Sequence, residues 1–89
     1  MKRKFCLGGV HATPSALKRL SLEELAEALD RHGSGDWGDC CPADKEENEL
    51  SLREGYRLFS VYRGKDGLKF WIITEADRSA TTILLLQDY

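Results

Sequence analysis

No strong charge of either sign, no long apolar run and no even set of cysteines mark this chain, and each lack excludes something. A net charge of −2 over 89 residues rules out the broad basic footprint of a duplex binder and the acidic excess of a thorough DNA mimic. No segment approaches the roughly 20 consecutive apolar residues that span a bilayer. Met1 to Lys4 is basic, but "FCLGGVHATP" breaks at glycines before a signal-peptide apolar region forms, so a cytosolic protein is expected. Three cysteines, an odd number without an export signal, argue for reduced thiols rather than a disulfide framework. Internal repeats, low-complexity tracts and linkers are also missing.

What is present fits one small globular domain over residues 1–89, with 42% hydrophobic and 31% charged residues. That length supports a modest core and a single layer of helices on one sheet, not a deep cavity between two lobes. Charge is unevenly spread. Residues 1–20 hold five Lys or Arg (Lys2, Arg3, Lys4, Lys18, Arg19) and no carboxylate, whereas the charged residues of Asp36 to Glu54 are mostly acidic.

Local signals predict the elements. "KFCL" reads as a short strand, Lys4 to Leu7, ended by Gly8 and Gly9. Thr13 followed by Pro14 is a helix start, because the hydroxyl caps and the ring lacks an N–H that would be unpaired there. Ser21 and Glu24 have capping-box spacing, Leu22, Leu25, Ala26 and Leu29 share a face, and Gly33 supplies a left-handed stop. "PADKEENELSLRE" predicts a helix from Pro42 to Glu54 closed by Gly55, with a thin apolar face of Ala43, Leu50 and Leu52. Glu46 and Glu47 are expected in solvent, and Glu49 is expected to pair with Arg53. "YRLFSVYR", "LKFWIIT" and "TTILLLQ" read as strands, the first two joined by the hairpin turn "GKDG".

The expected architecture is therefore α+β: an N-terminal strand and two to three helices packed on a three- to four-stranded antiparallel meander. Leu58 or Phe59, Phe70 or Trp71, Ile72 or Ile73, and Leu84 compete for the inward positions, since both faces of these strands are apolar.

Two polar loops carry the candidate chemistry. In "HGSGDWGD", His32, Asp36 and Asp39, with Asp44 nearby, are an imidazole-plus-carboxylate set of the kind that holds Mg, Mn or Zn, although the spacing matches no ligand signature. The competing reading has Trp37 plugging the seam between sheet and helix while the aspartates bind loop amides. In "TEADRSATT", Glu75, Asp77 and Arg78 protrude from a turn where the arginine fork can bind a phosphate or clamp a partner. Alternatively Thr74, Ser79, Thr81 and Thr82 tie that turn together, and Arg78 pairs with Glu75, Asp36 or Asp39. If both loops meet at one end of the sheet, they form one acidic patch with an arginine in it. Zinc held by Cys6, Cys40 and Cys41 would need the fold to unite them, because the usual two-residue spacer is missing. His11 and His32 sit in unrelated contexts, so no nucleophile has an evident histidine partner.

"GGVHATPSAL", "HGSGDWGD", "DKEENELSLREGYRLFSVY" and "WIITEADRSATTILLLQDY", in that order and over nearly the whole chain, resemble a family of small bacterial proteins labelled plasmid-related protein or, misleadingly, a restriction-system methylation subunit. The resemblance implies a mobile-element setting without a defined activity. A methyltransferase is excluded by the residues, since no Gly-rich loop follows a strand and the chain has no room for the cofactor-binding sheet. The paired Cys40 and Cys41 depart from the family pattern, in which the segment after "GDWGD" is acidic.

Three functions follow as expectations. The first is a non-enzymatic interaction protein needing no cofactor, an inhibitor of a host restriction or CRISPR nucleoprotein, with Asp36, Trp37, Asp39, Glu46, Glu47, Glu75, Asp77 and Arg78 as partner contacts. The second is a small metal-dependent hydrolase or nuclease on His32, Asp36, Asp39, Glu75 and Asp77. The third is a weak RNA or single-strand binder using the basic N-terminal end with Tyr56, Tyr62 and Trp71 as stacking faces. Nothing in the sequence sets an oligomeric state.

Overall fold

The computed structural model describes residues 3–88. The order of elements is β1 (Gly9–Ala12), α1 (Pro14–Arg19), α2 (Leu22–Gly33), α3 (Pro42–Glu54), β2 (Leu58–Arg63), β3 (Lys69–Thr74) and β4 (Ala80–Leu85), followed by one 3-10 turn, Leu86–Asp88. Helices and a four-stranded sheet in the order β1-β4-β3-β2 make an α+β domain.

The helix starts follow their local signals. Thr13 Oγ1 accepts from the Ala16 amide with Pro14 in the first turn, and Ser21 and Glu24 form a reciprocal capping box. Gly55 closes α3 in the left-handed region, at φ +77°. At the end of α2 the expected stop moves: Gly33 is the last helical residue, Ser34 caps it, and Gly35 takes the positive φ of 85°.

β2, β3 and β4 form the expected antiparallel meander. The N-terminal strand departs from expectation in place and direction, covering Gly9–Ala12 rather than Lys4–Leu7 and running parallel to β4, so the sheet is mixed. The cause is Gly8. Its φ of +67° bends the chain where a Cβ would lie 2.3 Å from the Ser79 carbonyl oxygen, so residues 4–7 leave the sheet direction and pairing begins one residue later. Leu7, buried, presents its carbonyl to Thr81 Oγ1 at 2.7 Å.

Register settles the inward positions. Leu58, Tyr62, Phe70, Ile72, Ile83 and Leu85 are buried, and all but Leu58 pack with Ala16, Leu20, Leu25 and Ala28 of the helical layer. Leu84 was expected inward. Instead it pairs with Trp71, and strand alternation puts both on the opposite face with Phe59, Val61 and Ile73.

A second cluster of Trp37, Cys40, Leu58 and Val61, flanked by Phe5 and Leu52, fills the seam beside β2. There α3 works through polar anchors rather than its few apolar residues. Asn48, 2% exposed, donates from Nδ2 to the Phe59 carbonyl at 2.7 Å and accepts from the Phe59 amide at 3.1 Å. Its side-chain amide thus pairs with the strand as a neighbouring backbone would.

Candidate functional site

The "GDWGD" loop is built against the same edge of β2. Val61 donates its amide to the Trp37 carbonyl at 3.2 Å, Asp39 donates its amide to the Val61 carbonyl at 2.7 Å, and Gly38 forms an isolated parallel bridge to Val61. With Asn48 on Phe59, the loop occupies the outer hydrogen-bonding groups of β2.

Each side chain of this loop has a local partner. Asp36 takes the Arg31 guanidinium at 2.8 and 3.3 Å and accepts from the Gly38 amide at 3.1 Å. The Arg31 hydrogen bond holds its carboxyl below the usual carboxylate range. Asp39 pairs with Arg63 at 3.0 Å. Both pairs are exposed, so each contributes about 1 kcal/mol or less. Trp37, 4% exposed, lies stacked on Phe5 with ring centroids 6.3 Å apart. Its Nε1 donates to Glu49 at 2.8 Å, so Glu49 bonds the indole in the place where an Arg53 pair was expected. Trp37 is a packing residue.

Both ring nitrogens of His32 are engaged inside the fold. The residue is fully buried, with Nδ1 2.6 Å from Ser60 Oγ and Nε2 2.9 Å from Thr74 Oγ1. Thr74 Oγ1 is 2.8 Å from Thr81 Oγ1, and Thr81 donates to the Leu7 carbonyl. That last bond orders the chain: Thr74 donates to Thr81, His32 Nε2–H donates to Thr74, and Nδ1 accepts from Ser60. Burial, reinforced by the Arg78 charge, lowers the imidazole pKa to about 4. Among the described residues no group of three or more His, Cys, Asp or Glu side chains is placed to hold a metal ion. The expected alternative set His32, Asp36 and Asp39 therefore does not assemble, and neither do the three cysteines.

Arg78 is equally committed. Its guanidinium donates to the carbonyls of Tyr56 (2.7 Å), Ser51 (3.0 Å), Glu75 (3.1 Å) and Ala76 (3.2 Å), and its carbon lies 5.6 Å from the Phe5 ring centre. A cation on the last carbonyls of α3 complements the helix dipole. These bonds hold Arg78 at φ +61°, the only non-glycine positive φ among the described residues. The expected cross-loop pair with Asp36 or Asp39 does not form. Glu75 meets Arg57 at 3.5 Å, and Asp77 accepts from the Ser79 amide and hydroxyl, which holds its carboxyl below the usual range.

Of the expected contacts, Glu46 and Glu47 remain exposed on the outer face of α3 with Leu50. Residue patterning alone missed the sheet face turned away from the helical layer, where Phe59, Trp71 and Ile73 are half-buried around the buried Val61 and Leu84. There Phe59, Val61, Trp71 and Ile73, with Leu86 at one end, line an open groove of about 420 Å³ bordered by Cys41 and Asp44 of the α3 start. The signal was the pair of apolar faces on β2 and β3, which implied that one would stay outside the helical layer. Tyr62 lies on the covered face, buried, its hydroxyl donating to the Asp36 carbonyl; burial pushes its pKa up. It offers no stacking surface.

Cys40 is buried and Cys6 and Cys41 are exposed. Burial pushes the Cys40 thiol pKa up. Titration of the native protein with an aromatic disulfide reagent is expected to show two fast thiols, with the third reacting only on unfolding. Three equally fast thiols would mean that the "CC" segment is not packed as described.

The molecule is thus a two-layer α+β domain with one sheet face and one acidic helix face outward. No family model, curated protein or solved structure matches the chain. Among the described residues no helix is long and apolar enough to cross a membrane.

Proposed function

We propose that this is a non-enzymatic, cytoplasmic interaction protein that docks its α3 side on a basic surface of a protein partner. The observation that carries this reading is the anchoring of α3. Asn48 on β2, Glu49 on Trp37 and Ser51 under Arg78 hold a helix whose outward face is Glu46, Glu47 and Leu50. An acidic face held rigidly loses little freedom on binding, and the adjoining groove with Trp71 supplies an apolar centre of the kind that dominates interface energies. The side chains that suggested catalysis are engaged in holding the fold.

The partner class follows from charge. A row of carboxylates beside an apolar patch suits the basic groove of a nucleic-acid enzyme. The resemblance to plasmid-related proteins narrows this to a restriction or CRISPR nucleoprotein, which the protein would inhibit. The test is transformation of a restricting or CRISPR-armed host with susceptible plasmid, with and without the protein. Protection is expected, together with co-purification of the defence complex. Glu46→Lys combined with Glu47→Lys should weaken that complex about tenfold or more while the fold is kept. Absence of protection in both kinds of host would sink the defence assignment, and unchanged affinity in the double variant would sink the acidic face. Salt-sensitive retention of the protein on single-stranded RNA, lost in Trp71→Ala, would replace the protein partner with a nucleic acid.

A further inference from the structure

The two edges of the sheet are treated differently. β2 has its outer groups taken by Asn48 and by the "DWGD" segment, whereas β1 borders solvent, with Gly9, Val10 and His11 exposed. The amides of Gly9 and Thr13 donate to the carbonyls of Ser79 and Ile83 at 3.0 Å each. Strand alternation then turns the amides and carbonyls of Val10 and Ala12 away from β4, to the open side. An exposed row of alternating donors and acceptors is a template for another strand, and proteins ordinarily blunt such edges. Here nothing among the described residues covers it.

Charge selects the occupant. Arg3 and Lys4 line the same open groove as Val10, and Lys18 and Arg19 are exposed on α1, which begins two residues after β1. The carboxylates that flank the strand are bonded within the fold, Asp88 to the Thr13 hydroxyl and the Leu85 amide and Asp77 to the amide and hydroxyl of Ser79. Asp30 approaches Arg3 only at 3.6 Å. A second copy pairing edge to edge would run antiparallel, setting the Arg3 and Lys4 end of each copy beside the Thr13 end of the other, and the native mass in the test below reads that outcome. A phosphate backbone would meet the positive charge but cannot answer alternating N–H and C=O groups. Among the described residues the aromatic ring in that groove is Phe5, half-buried and already stacked on Trp37, while Tyr62 is buried and Trp71 sits on β3, separated from β1 by β4.

We propose that the free edge of β1 takes up an extended acidic peptide segment of a partner protein as a fifth strand, with backbone pairing at Val10 and Ala12 and carboxylates meeting Arg3 and Lys4. Pairing through the main chain supplies affinity without a deep pocket, and the basic flank supplies selectivity. Together with the acidic α3 on the opposite edge, this makes the domain two-sided. The β1 site does not depend on what α3 binds.

The test uses two synthetic peptides, one alternating valine or threonine with glutamate, the other with lysine for glutamate, each titrated into the full chain and followed by amide NMR and hydrogen exchange. The acidic peptide is expected to bind and to slow exchange at Val10 and Ala12; the lysine peptide is not. Val10→Pro removes an outward N–H without touching the β4 ladder, a position where an edge strand tolerates proline, and should weaken binding at least about tenfold. Arg3→Glu combined with Lys4→Glu should reverse the preference between the peptides, which keeps the test sound if the proline variant folds poorly. Equal binding of both peptides, or of neither, overturns the proposal. So do a doubled native mass with Val10 and Ala12 already protected, and protection of those amides by single-stranded DNA instead of peptide.

Discussion

Gly38→Ala is expected to remove most of the native population at 37 °C, at a cost of roughly 3 kcal/mol or more. The residue sits at φ +71°, and an added Cβ would lie 2.0 Å from the Val61 carbonyl oxygen and 2.7 Å from the Tyr62 ring. Val61 cannot retreat, because its carbonyl accepts from the Asp39 amide and its own amide donates to Trp37. The loop would have to lift off β2, taking Trp37 out of the seam and exposing the strand edge. Gly55→Ala is the internal control. Gly55 has nearly the same backbone angle, φ +77°, but a Cβ there meets nothing within 4 Å, so only the left-handed penalty of about 1 kcal/mol applies. Urea unfolding of the two variants separates strain from collision; equal losses would show that the close approach of Gly38 to β2 is not a constraint on the fold.

This result would also answer why the sequence spends two aspartates, a tryptophan and glycines on one loop. The residue types are those of a metal site and equally those of an edge cover, and what distinguishes them is long-range. Asp36 and Asp39 are turned to arginines five and twenty-four residues away, and Trp37 to a glutamate on the next helix. No spacing rule contains those distances. A sheet edge left bare along β2 would be open to pairing with other chains, whereas a loop and an asparagine side chain close it.

Features decided within a few residues were legible. The Thr13 and Ser21 caps follow from side chains bonding their own neighbours, and the Pro42 start and Gly55 stop of α3 and the hairpin between β2 and β3 follow from backbone angles that proline and glycine set locally. Features decided by register were not. Phe70 and Trp71, or Ile72 and Ile73, are equally apolar, and only pairing with β4 assigns one of each to the helical layer. The parallel placement of β1 depends on the bend at Gly8 against Ser79, some seventy residues along the chain. Asn48 was invisible for a different reason: an asparagine inside an acidic helix carries no sign that it will stand in for a strand. Arg78 was expected to clamp a partner or to pair with Glu75, Asp36 or Asp39; its acceptors within the fold are backbone carbonyls, which have no signature in a sequence. Of the basic residues assigned to the N-terminal end, Lys2 lies outside the described residues.

Acidification is expected to destabilise the fold well above the range where carboxylates titrate, and His32 is the reason. Unfolded, its imidazole has an ordinary pKa of 6.5; folded, burial and Arg78 lower it to about 4. Between these values the unfolded chain takes up a proton that the native state refuses, so unfolding becomes more favourable as pH falls. The contribution is fully present above pH 6.5 and lost progressively down to about pH 4, amounting to about 3 kcal/mol at 1.36 kcal/mol per unit. Asp36, Asp77, Glu24 and Asp88 also have lowered folded-state pKa values, but from starting points of 3.8 to 4.5. Their losses begin near pH 4.5 and continue to lower pH, so the upper window belongs to the histidine. Urea unfolding at pH 7.5 and pH 5 should show a loss of about 2 kcal/mol in the wild type. His32→Gln is expected to start lower, because a flexible amide replaces the packed imidazole ring held between Ser60, Thr74, Phe5 and Trp37, yet to be flat across the same interval. A wild type with equal stability at both values, or an imidazole seen by NMR to titrate near 6.5 in the folded protein, would mean that the Ser60–His32–Thr74–Thr81 chain admits a proton, and that this buried row is open to solvent rather than locked in the neutral form.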